Sequence, residues 1–461
     1  MLQTIRNAWR LPDVKKKLIY VAFILLLYRI GTVIPVPFID ASNFNSAFGD
    51  TILAQLDTLS GGSLSAATLF ALGISPYITS SIVIQLLTVA IPALERLAKE
   101  GEEGKKKINN ITRYTTVILA VITAIGYYAL LSKSGMLLTK AMVGGGKAWF
   151  LHASVIVICF CAGASLVMWL AEKINENGIG NGISLILFAN IISVLPSMII
   201  RLVNVSIWGF EAGALSGIIA ILLALLVIAA LIAVTVFIVF VTGSERRIPV
   251  QYAKRVVGRK MYGGQNTHLP IQLNMSGVMP VIFASSMISL PATLMVLFGV
   301  SDETEGFWGG FYRFFEADGW FYPVAMFVLI ILFAYFYASF SFNPVEIANN
   351  LKKNGGVVLG HRPGRQTAEY ISKILSKVVL IGAIFLSIIA ILPIIANPLV
   401  LTPVLNFVLE GVAADEATIQ TLVSSFTFGG TSILIVVGVA LEFAKELEAQ
   451  LTMRNYKGFL S

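Results

Sequence analysis

The sequence has little charge and very few residues that bind metals or form disulfides. Charged residues make up 13% of the 461 positions, and the chain contains three histidines and two cysteines. His152, His268 and His361 lie far apart and outside the apolar stretches or at their margins, so they have no metal-ligand spacing. Cys159 and Cys161 project in different directions from a helix and are interpreted as small apolar residues. The sequence therefore predicts no metal, no cofactor and no catalytic residue.

Apolar sequence, in contrast, is abundant. Hydrophobic residues make up 57% of the chain, which is more apolar area than the surface of a soluble protein tolerates. One helical crossing of a bilayer needs roughly 20 apolar residues. The sequence predicts an all-α polytopic membrane protein with ten transmembrane helices, at Leu18–Val36, Phe70–Leu94, Ile111–Leu131, Trp149–Ala171, Ile183–Val203, Ala212–Thr242, Met275–Val300, Trp320–Ser341, Ile374–Ala396 and Val423–Ala444.

The distribution of basic residues predicts the orientation of these spans. Most of the 33 lysines and arginines lie in residues 1–17, in the loops after the second, fourth, sixth and eighth spans, and in residues 445–461. Cytoplasmic loops carry an excess of these residues, so we expect both termini in the cytoplasm. Residues 1–17 have no signal-peptide pattern, so the first span is interpreted as retained. Topology alone, or docking of an acidic or nucleic-acid-containing partner, explains this basic face equally well.

Two of the cytoplasmic loops, 243–274 and 342–373, are longer than a helix connection requires. The first contains a β-prone stretch, Ile248–Tyr252, and a basic run, which together predict a small projecting hairpin that a partner could bind. In the second loop, the stiff turn Arg362–Gly364 would hold the guanidinium of Arg362 in a defined place. Arginine suits phosphate or carboxylate, although Arg362 could instead bind carbonyl groups of its own loop. The basic run consists of Lys254, Arg255, Arg259 and Lys260.

Ionisable side chains are nearly absent from the middle of the spans. Arg29 lies past the middle of the first span, and we find no Asp, Glu or His in any span away from its ends. Ion-coupled transporters usually carry such residues near mid-membrane, where they bind the ion or relay protons. The alternative interpretation is a secondary solute transporter with inverted repeats. The absence of ionisable residues near mid-membrane disfavours it.

The second span is unusual. Residues 60–73 are rich in small side chains, and Pro76 forbids a continuous helix through the residues before it. We expect a short half-helix, a break and a full helix. Irregular backbone at membrane depth occurs only where it is buried in protein or lines a watery cavity. The segment could be a movable stopper or a static re-entrant support.

Several uncommon motifs occur in a fixed order along nearly the whole chain. They include Arg29-Ile30-Gly31, Ser60-Gly61-Gly62, Phe70-Ala71-Leu72-Gly73, Gly178-Ile179-Gly180-Asn181-Gly182, Tyr252-Ala253-Lys254-Arg255, Phe342-Asn343-Pro344, Arg362-Pro363-Gly364 and Gly429-Gly430-Thr431-Ser432. In these motifs the sequence resembles the SecY family, the central subunits of bacterial protein-conducting channels.

The resemblance implies a central pore between two inverted pseudo-symmetric five-helix halves, residues 18–203 and 204–444, with tails 1–17 and 445–461. It implies a pore ring of Ile74, Ile78, Ile183, Leu187, Ile282 and Ile435, although ordinary helix packing explains each of these positions by itself. It also implies a plug over about 57–72, with Asp57, Ser60, Gly61, Gly62, Ser63, Leu64, Ser65 and Leu72. A lateral gate would include Thr79, Gln85, Asn274, Ser286 and Leu290.

The function implied by the resemblance is a channel that translocates unfolded secretory proteins and inserts membrane proteins through the lateral gate. No catalysis by the chain is needed. The implied partners are the membrane subunits SecE and SecG, the motor ATPase SecA, the ribosome, signal peptides, translocating polypeptides and the lipid bilayer. Lys254, Arg255, Arg259, Lys260 and Arg362 would dock the cytosolic partners, and the chain would lie in the bacterial cell membrane.

Overall fold

The structure, a computed structural model, describes residues 6, 8–39, 57, 59–133, 136–137, 147–212, 214–252, 255–257, 260–262, 266–297, 300, 306–315, 319–396, 403 and 430–457. The helices are α1 (Pro12–Gly31), α2 (Ser75–Ala90), α3 (Pro92–Lys99), α4 (Glu102–Lys133), α5 (Lys147–Asn177), α6 (Gly182–Ala212), α7 (Ala214–Thr242), α8 (Met279–Leu297), α9 (Phe307–Phe315), α10 (Phe321–Ser341), α11 (Pro344–Lys353), α12 (Arg365–Ala396) and α13 (Gly430–Lys457). The strands are β1 (Glu245–Tyr252), β2 (Arg255–Val257), β3 (Lys260–Tyr262), β4 (Asn266–Gln272) and β5 (Gly356–Val358).

Each of the ten predicted spans overlaps one long helix, namely α1, α2, α4, α5, α6, α7, α8, α10, α12 and α13. By length and composition, five of the described helices can cross a membrane, or six if α2 and α3 form one broken span. Large apolar side chains on α7, such as Leu222 and Leu226, are exposed. Lipid is the environment that such a surface requires. The chain is therefore a multi-pass membrane protein.

The predicted half-helix before α2 is wrong in detail. Residues 61–74 form successive turns, and the helix begins only at Ser75, with Pro76 in its first turn. Gly61, Gly62 and Gly73 all have positive φ, which an α-helix does not accommodate. At its other end, α2 bends by 100° into the short helix α3.

A small sheet joins the two long loops. Strand β1 pairs antiparallel with β4 on one side and with β5 on the other, while β2 and β3 form a separate hairpin. The predicted hairpin in residues 243–274 is confirmed, whereas the strand contributed by the second loop was not predicted. The inward side chains of β1, Ile248 and Val250, pack with residues of α10 and α12, such as Ala338 and Ile371. The sheet is thus fastened to the helical bundle.

Both ends of the described chain lie at the end of the bundle that carries this sheet. Ala8 and Val14 form a buried cluster with Leu447 of α13. The Lys445 amine donates to the side-chain oxygen of Gln272 on β4 at 3.1 Å. A chain that crosses a membrane an even number of times has both of its ends on the same side, and these contacts agree with that.

Candidate functional site

Four helices bring the six predicted ring residues into one hydrophobic cluster. Ile74 and Ile78 lie one turn apart at the start of α2, and Ile183 and Leu187 are related in the same way on α6. Ile282 comes from α8 and Ile435 from α13. Five of the six are at most 3% exposed, whereas Ile183 is only partly buried. The ring residues therefore meet in space, although their positions span most of the chain.

The glycine motif before α6 positions two of these residues. A β-carbon on Gly182 would lie 2.0 Å from the carbonyl oxygen of Ala171, so only glycine allows α6 to start this close to α5. Gly180 has a φ of 89°, which is strained for any residue with a side chain. The side chain of Asn181 caps the helix by accepting from the amide of Ile183 at 3.0 Å. These glycines thus give α6 a tight entry beside α5.

A cavity of about 200 Å³ lies at the centre of the bundle. Four of the predicted ring residues line it, namely Ile78, Leu187, Ile282 and Ile435. Predicted plug residues line it as well, namely Ser60, Leu64 and Leu72, and so do the predicted gate residues Thr79, Ser286 and Leu290. Ile74 and Ile183 belong to the same cluster but are not among the lining residues. The three sets of predicted residues therefore surround one space.

Hydrogen bonds within the predicted plug hold its described residues in a compact arrangement. Asp57 accepts from the amide of Ser65 at 2.8 Å, and the hydroxyl of Ser60 accepts from the amide of Leu64 at 3.2 Å. The hydroxyl of Ser63 donates to the carbonyl of Ser60 at 2.7 Å. Small polar side chains thus satisfy the backbone groups that a helix would have satisfied.

The next part of this segment is attached to the chain that follows α1. The amide of Leu69 donates to the carbonyl of Ile34 at 2.8 Å, and the amide of Val36 donates to the carbonyl of Ala67 at 3.2 Å. Phe70 stacks on Tyr28 of α1, with ring centroids 5.5 Å apart. The segment is thus anchored immediately before α2 begins.

Hydroxyl groups line the α8 side of the cavity at four-residue spacing. Ser285, Ser289 and Thr293 all face it, as does Ser286. The hydroxyls of Ser285, Ser289 and Thr293 donate to carbonyls of their own helix, at 3.0, 3.2 and 2.7 Å. Separating α8 from α2 and α4 would leave these three bonds intact. Of this stripe the prediction named only Ser286, although the spacing of the others is visible in the sequence.

The remaining two predicted gate residues lie away from this cavity. Gln85 donates to the hydroxyl of Ser81 on its own helix at 3.1 Å, and its side chain lies near Tyr337 of α10. Asn274 is buried in the connection between β4 and α8, beside Gly382 of α12.

The predicted docking residues are partly described. Lys254 and Arg259 lie outside the described residues, and Arg255 and Lys260 are described only as ends of β2 and β3. Arg362 is exposed, and its carbonyl accepts from the hydroxyl of Thr367 at 2.8 Å, which fixes the turn. Among the described residues, the guanidinium of Arg362 makes no hydrogen bond or ion pair, unlike that of Arg365, which pairs with Glu369 at 2.9 Å.

The junction between the sheet and α13 carries a partly buried lysine. Burial lowers the pKa of the Lys445 amine, and the nearby carboxylates of Glu245 and Glu442 oppose that shift. The amine also donates to Gln272. Charge and hydrogen bonding therefore join the loop sheet to the last helix.

Two residues that the sequence prediction missed contact the plug segment. Asn190 of α6 and Tyr127 of α4 are 0% and 1% exposed, and both donate to plug carbonyls. For Asn190 the signal available in the sequence was an amide side chain within an apolar span. For Tyr127 no signal distinguished the residue from an ordinary core tyrosine.

The architecture matches that of membrane channels for polypeptides. A solved protein-conducting channel superposes with a TM-score of 0.60 at 18% identity, covering 94% of this chain and 91% of that one. Sec61 in a canine ribosome–channel complex superposes with a TM-score of 0.56 at 17% identity, with the same coverage. The fold is therefore that of a protein-conducting channel.

Sequence comparison gives the family. The SecY family model matches residues 68–444. The protein translocase subunits SecY of Streptomyces galbus and Corynebacterium glutamicum are 41% and 39% identical, each over 100% of both chains. The corresponding subunit of Mycobacterium tuberculosis is 39% identical over the same share. The chain belongs to the SecY family.

Proposed function

We propose that this chain is the conducting subunit of a protein translocase. It passes unfolded secretory polypeptides across the membrane and releases apolar segments sideways into the lipid. One observation carries the proposal: a single cavity is lined at once by residues of the ring, the plug segment and the gate seam. A channel for polypeptides needs these three parts to meet.

The ring closes the resting channel by excluding water. Its side chains are aliphatic and bulky, and an apolar constriction of this kind opposes ions, because the hydration of an ion has no replacement there. Ser60, Leu64 and Leu72 of the plug segment line the same cavity. During transport the aliphatic side chains close around the passing chain.

The seam between α2 and α4 on one side and α8 and α10 on the other acts as the lateral gate. The hydroxyls of Ser285, Ser289 and Thr293 bond within α8, so opening the seam costs none of these bonds. A passing segment then partitions between channel and lipid. At a helix centre, Leu, Ile or Phe contributes about −0.3 to −0.6 kcal/mol and Asp, Lys or Arg about +2.5 to +3.5 kcal/mol.

The loop sheet is the docking surface for cytosolic partners. By family resemblance these are the motor ATPase SecA and the translating ribosome, while SecE and SecG are the membrane subunits. The exposed guanidinium of Arg362, together with the basic run from Lys254 to Lys260, suits carboxylates and phosphates. We place the chain in the bacterial cell membrane with both termini cytoplasmic, as two inverted five-helix halves.

Polar substitution of the ring tests this function. Replacing Ile78, Ile282 and Ile435 together by Asn removes about 1.5–3 kcal/mol of apolar burial at each site. Because roughly 1.4 kcal/mol corresponds to tenfold in an equilibrium, we expect the resting ion conductance to rise about tenfold or more. Export of proteins with defective signal sequences should also increase. Planar-bilayer recording of the purified complex measures the conductance.

Lipid-facing isoleucines provide the control. Ile118 and Ile221 are 60% and 40% exposed on the outside of the bundle. Their replacement by Asn should leave the conductance unchanged. If the ring variants fold, bind their partners and stay as tight as the parent, the pore does not pass between these residues and the proposal fails.

A further inference from the structure

Two buried side chains hold the first part of the plug segment by its backbone. The hydroxyl of Tyr127 on α4 donates to the carbonyl of Leu64 at 2.6 Å. The side-chain amide of Asn190 on α6 donates to the carbonyl of Leu59 at 2.8 Å. Both donors are fully buried, where an unpaired polar group is costly. Because the acceptors are backbone carbonyls, the contacts do not depend on the plug's own side chains.

Gly61 lies between these contacts in a polar cradle. A β-carbon at this position would lie 3.0 Å from Oδ1 of Asn190 and 3.1 Å from both Nη1 of Arg29 and Oγ of Ser193. Nη1 of Arg29 is also 3.5 Å from the carbonyl oxygen of Gly61, which makes it the weakest of the three contacts. A β-carbon on Gly61 would therefore require the side chains of Asn190, Arg29 and Ser193 to shift by a few tenths of an ångström.

The second part of the segment is fastened by a different kind of bond. The backbone bonds from Leu69 to Ile34 and from Val36 to Ala67 join it to the chain after α1. Ala67, between the two parts, has a φ of 45°, which is uncommon for a residue with a side chain. The amide and the hydroxyl of Thr68 both donate to the carbonyl of Ser63, at 3.1 and 3.2 Å, so these bonds also join residues 59–65 to the second part.

We propose that Tyr127 and Asn190, with Arg29 in support, are positioning residues that form a latch on plug residues 59–65, and that this latch must release before the channel opens. The inference rests on the proposed channel function. A hydrogen bond in a protein changes an equilibrium by about two- to tenfold. A latch of two or three such bonds keeps the resting channel closed and remains weak enough for an arriving polypeptide to release.

The sharpest test is Tyr127→Phe. The ring keeps its edge contact with Phe160, at 5.0 Å between centroids, and the carbonyl of Leu64 keeps the bond from the amide of Ala67. The latch bond is lost while the aromatic ring stays, so the resting conductance of the purified channel complex should rise roughly two- to tenfold. Tyr335→Phe is the matched control, since that hydroxyl donates to the carbonyl of Ser376, which lies outside the plug segment. Its conductance should equal that of the parent.

A pair of neighbouring glycines tests the cradle. Gly61 and Gly62 both have positive φ, 71° and 83°, so alanine strains the backbone at either position. Among the described residues, no heavy atom lies within 4 Å of a β-carbon on Gly62, whereas one on Gly61 meets the cradle. Gly61→Ala should therefore leak more than Gly62→Ala. Equal leaks would mean that backbone strain alone, and not the disturbed cradle, causes the leak in both variants.

Combining variants separates a latch from a general loss of stability. In a channel that lacks residues 59–65, Tyr127→Phe and Asn190→Leu should add no further conductance, because the latched segment is gone. An equal increase in both backgrounds overturns the latch. If Tyr127→Phe is as tight as the parent while the ring variants leak, the latch is wrong and the channel function stands. If the ring variants are tight as well, the channel function itself fails.

Discussion

The close approach of α6 to α5 should make Gly182→Ala damaging. The new β-carbon would lie 2.0 Å from the carbonyl oxygen of Ala171, and real contacts of this type stay above 3.0 Å. The start of α6 must therefore move by roughly 1 Å. Ile183 and Leu187, which lie in its first two turns, would move with it. The position has no positive φ, so the effect is steric.

The expected loss of stability follows from two opposing effects. Overpacking costs about 1–3 kcal/mol, while alanine is favoured over glycine within a helix by up to about 1 kcal/mol. We expect a net destabilisation of about 1–2 kcal/mol, together with a raised resting conductance. Thermal unfolding of the purified complex and bilayer recording measure the two effects.

Gly310→Ala on α9 is the matched control. It also lies inside a helix, but its β-carbon would meet no heavy atom of the described part of the chain within 4 Å. This variant should be neutral or slightly stabilised. If Gly182→Ala is as stable and as tight as the parent, the contact between α5 and α6 does not position the ring in the way described.

Two further predictions concern orientation and docking. Labels at Gly264 and Gly355 should react only from the cytoplasm, and labels at Ser42 and Asp415 only from outside, as judged by a membrane-impermeant reagent in intact and opened cells; reversed accessibility would overturn the proposed orientation. Arg362→Glu should reduce affinity for the motor or the ribosome and lower export severalfold while the unfolding temperature stays unchanged, because the side chain is exposed and without a partner among the described residues. Unchanged affinity and export would remove Arg362 from the docking surface.

The positions of the spans could be predicted from the sequence because hydropathy is a local property. Each predicted span overlaps one long helix, and the hairpin from Ile248 onward was visible in its β-prone residues. The tight entry at Gly178–Gly182 was also predictable, since glycines allow close backbone approach. The shape of residues 61–74 was not, because their turns depend on positive φ at three glycines.

Tertiary structure decided how these local elements meet. The pairing of β5 with β1 joins residues more than a hundred positions apart and depends on where α10 and α12 place the second loop. Leu187, Ile282 and Ile435 line one cavity only because α6, α8 and α13 converge.

The contacts of Tyr127 and Asn190 with the plug segment also depend on the tertiary structure and not on a local sequence pattern. Their hydrogen bonds go to backbone carbonyls, which every residue carries, so no residue pattern in the plug predicts them. Long runs of apolar residues determined which segments enter the membrane. In lipid, side-chain packing and a few buried hydrogen bonds select the neighbours of each helix, and those choices become visible only when the helices are in place.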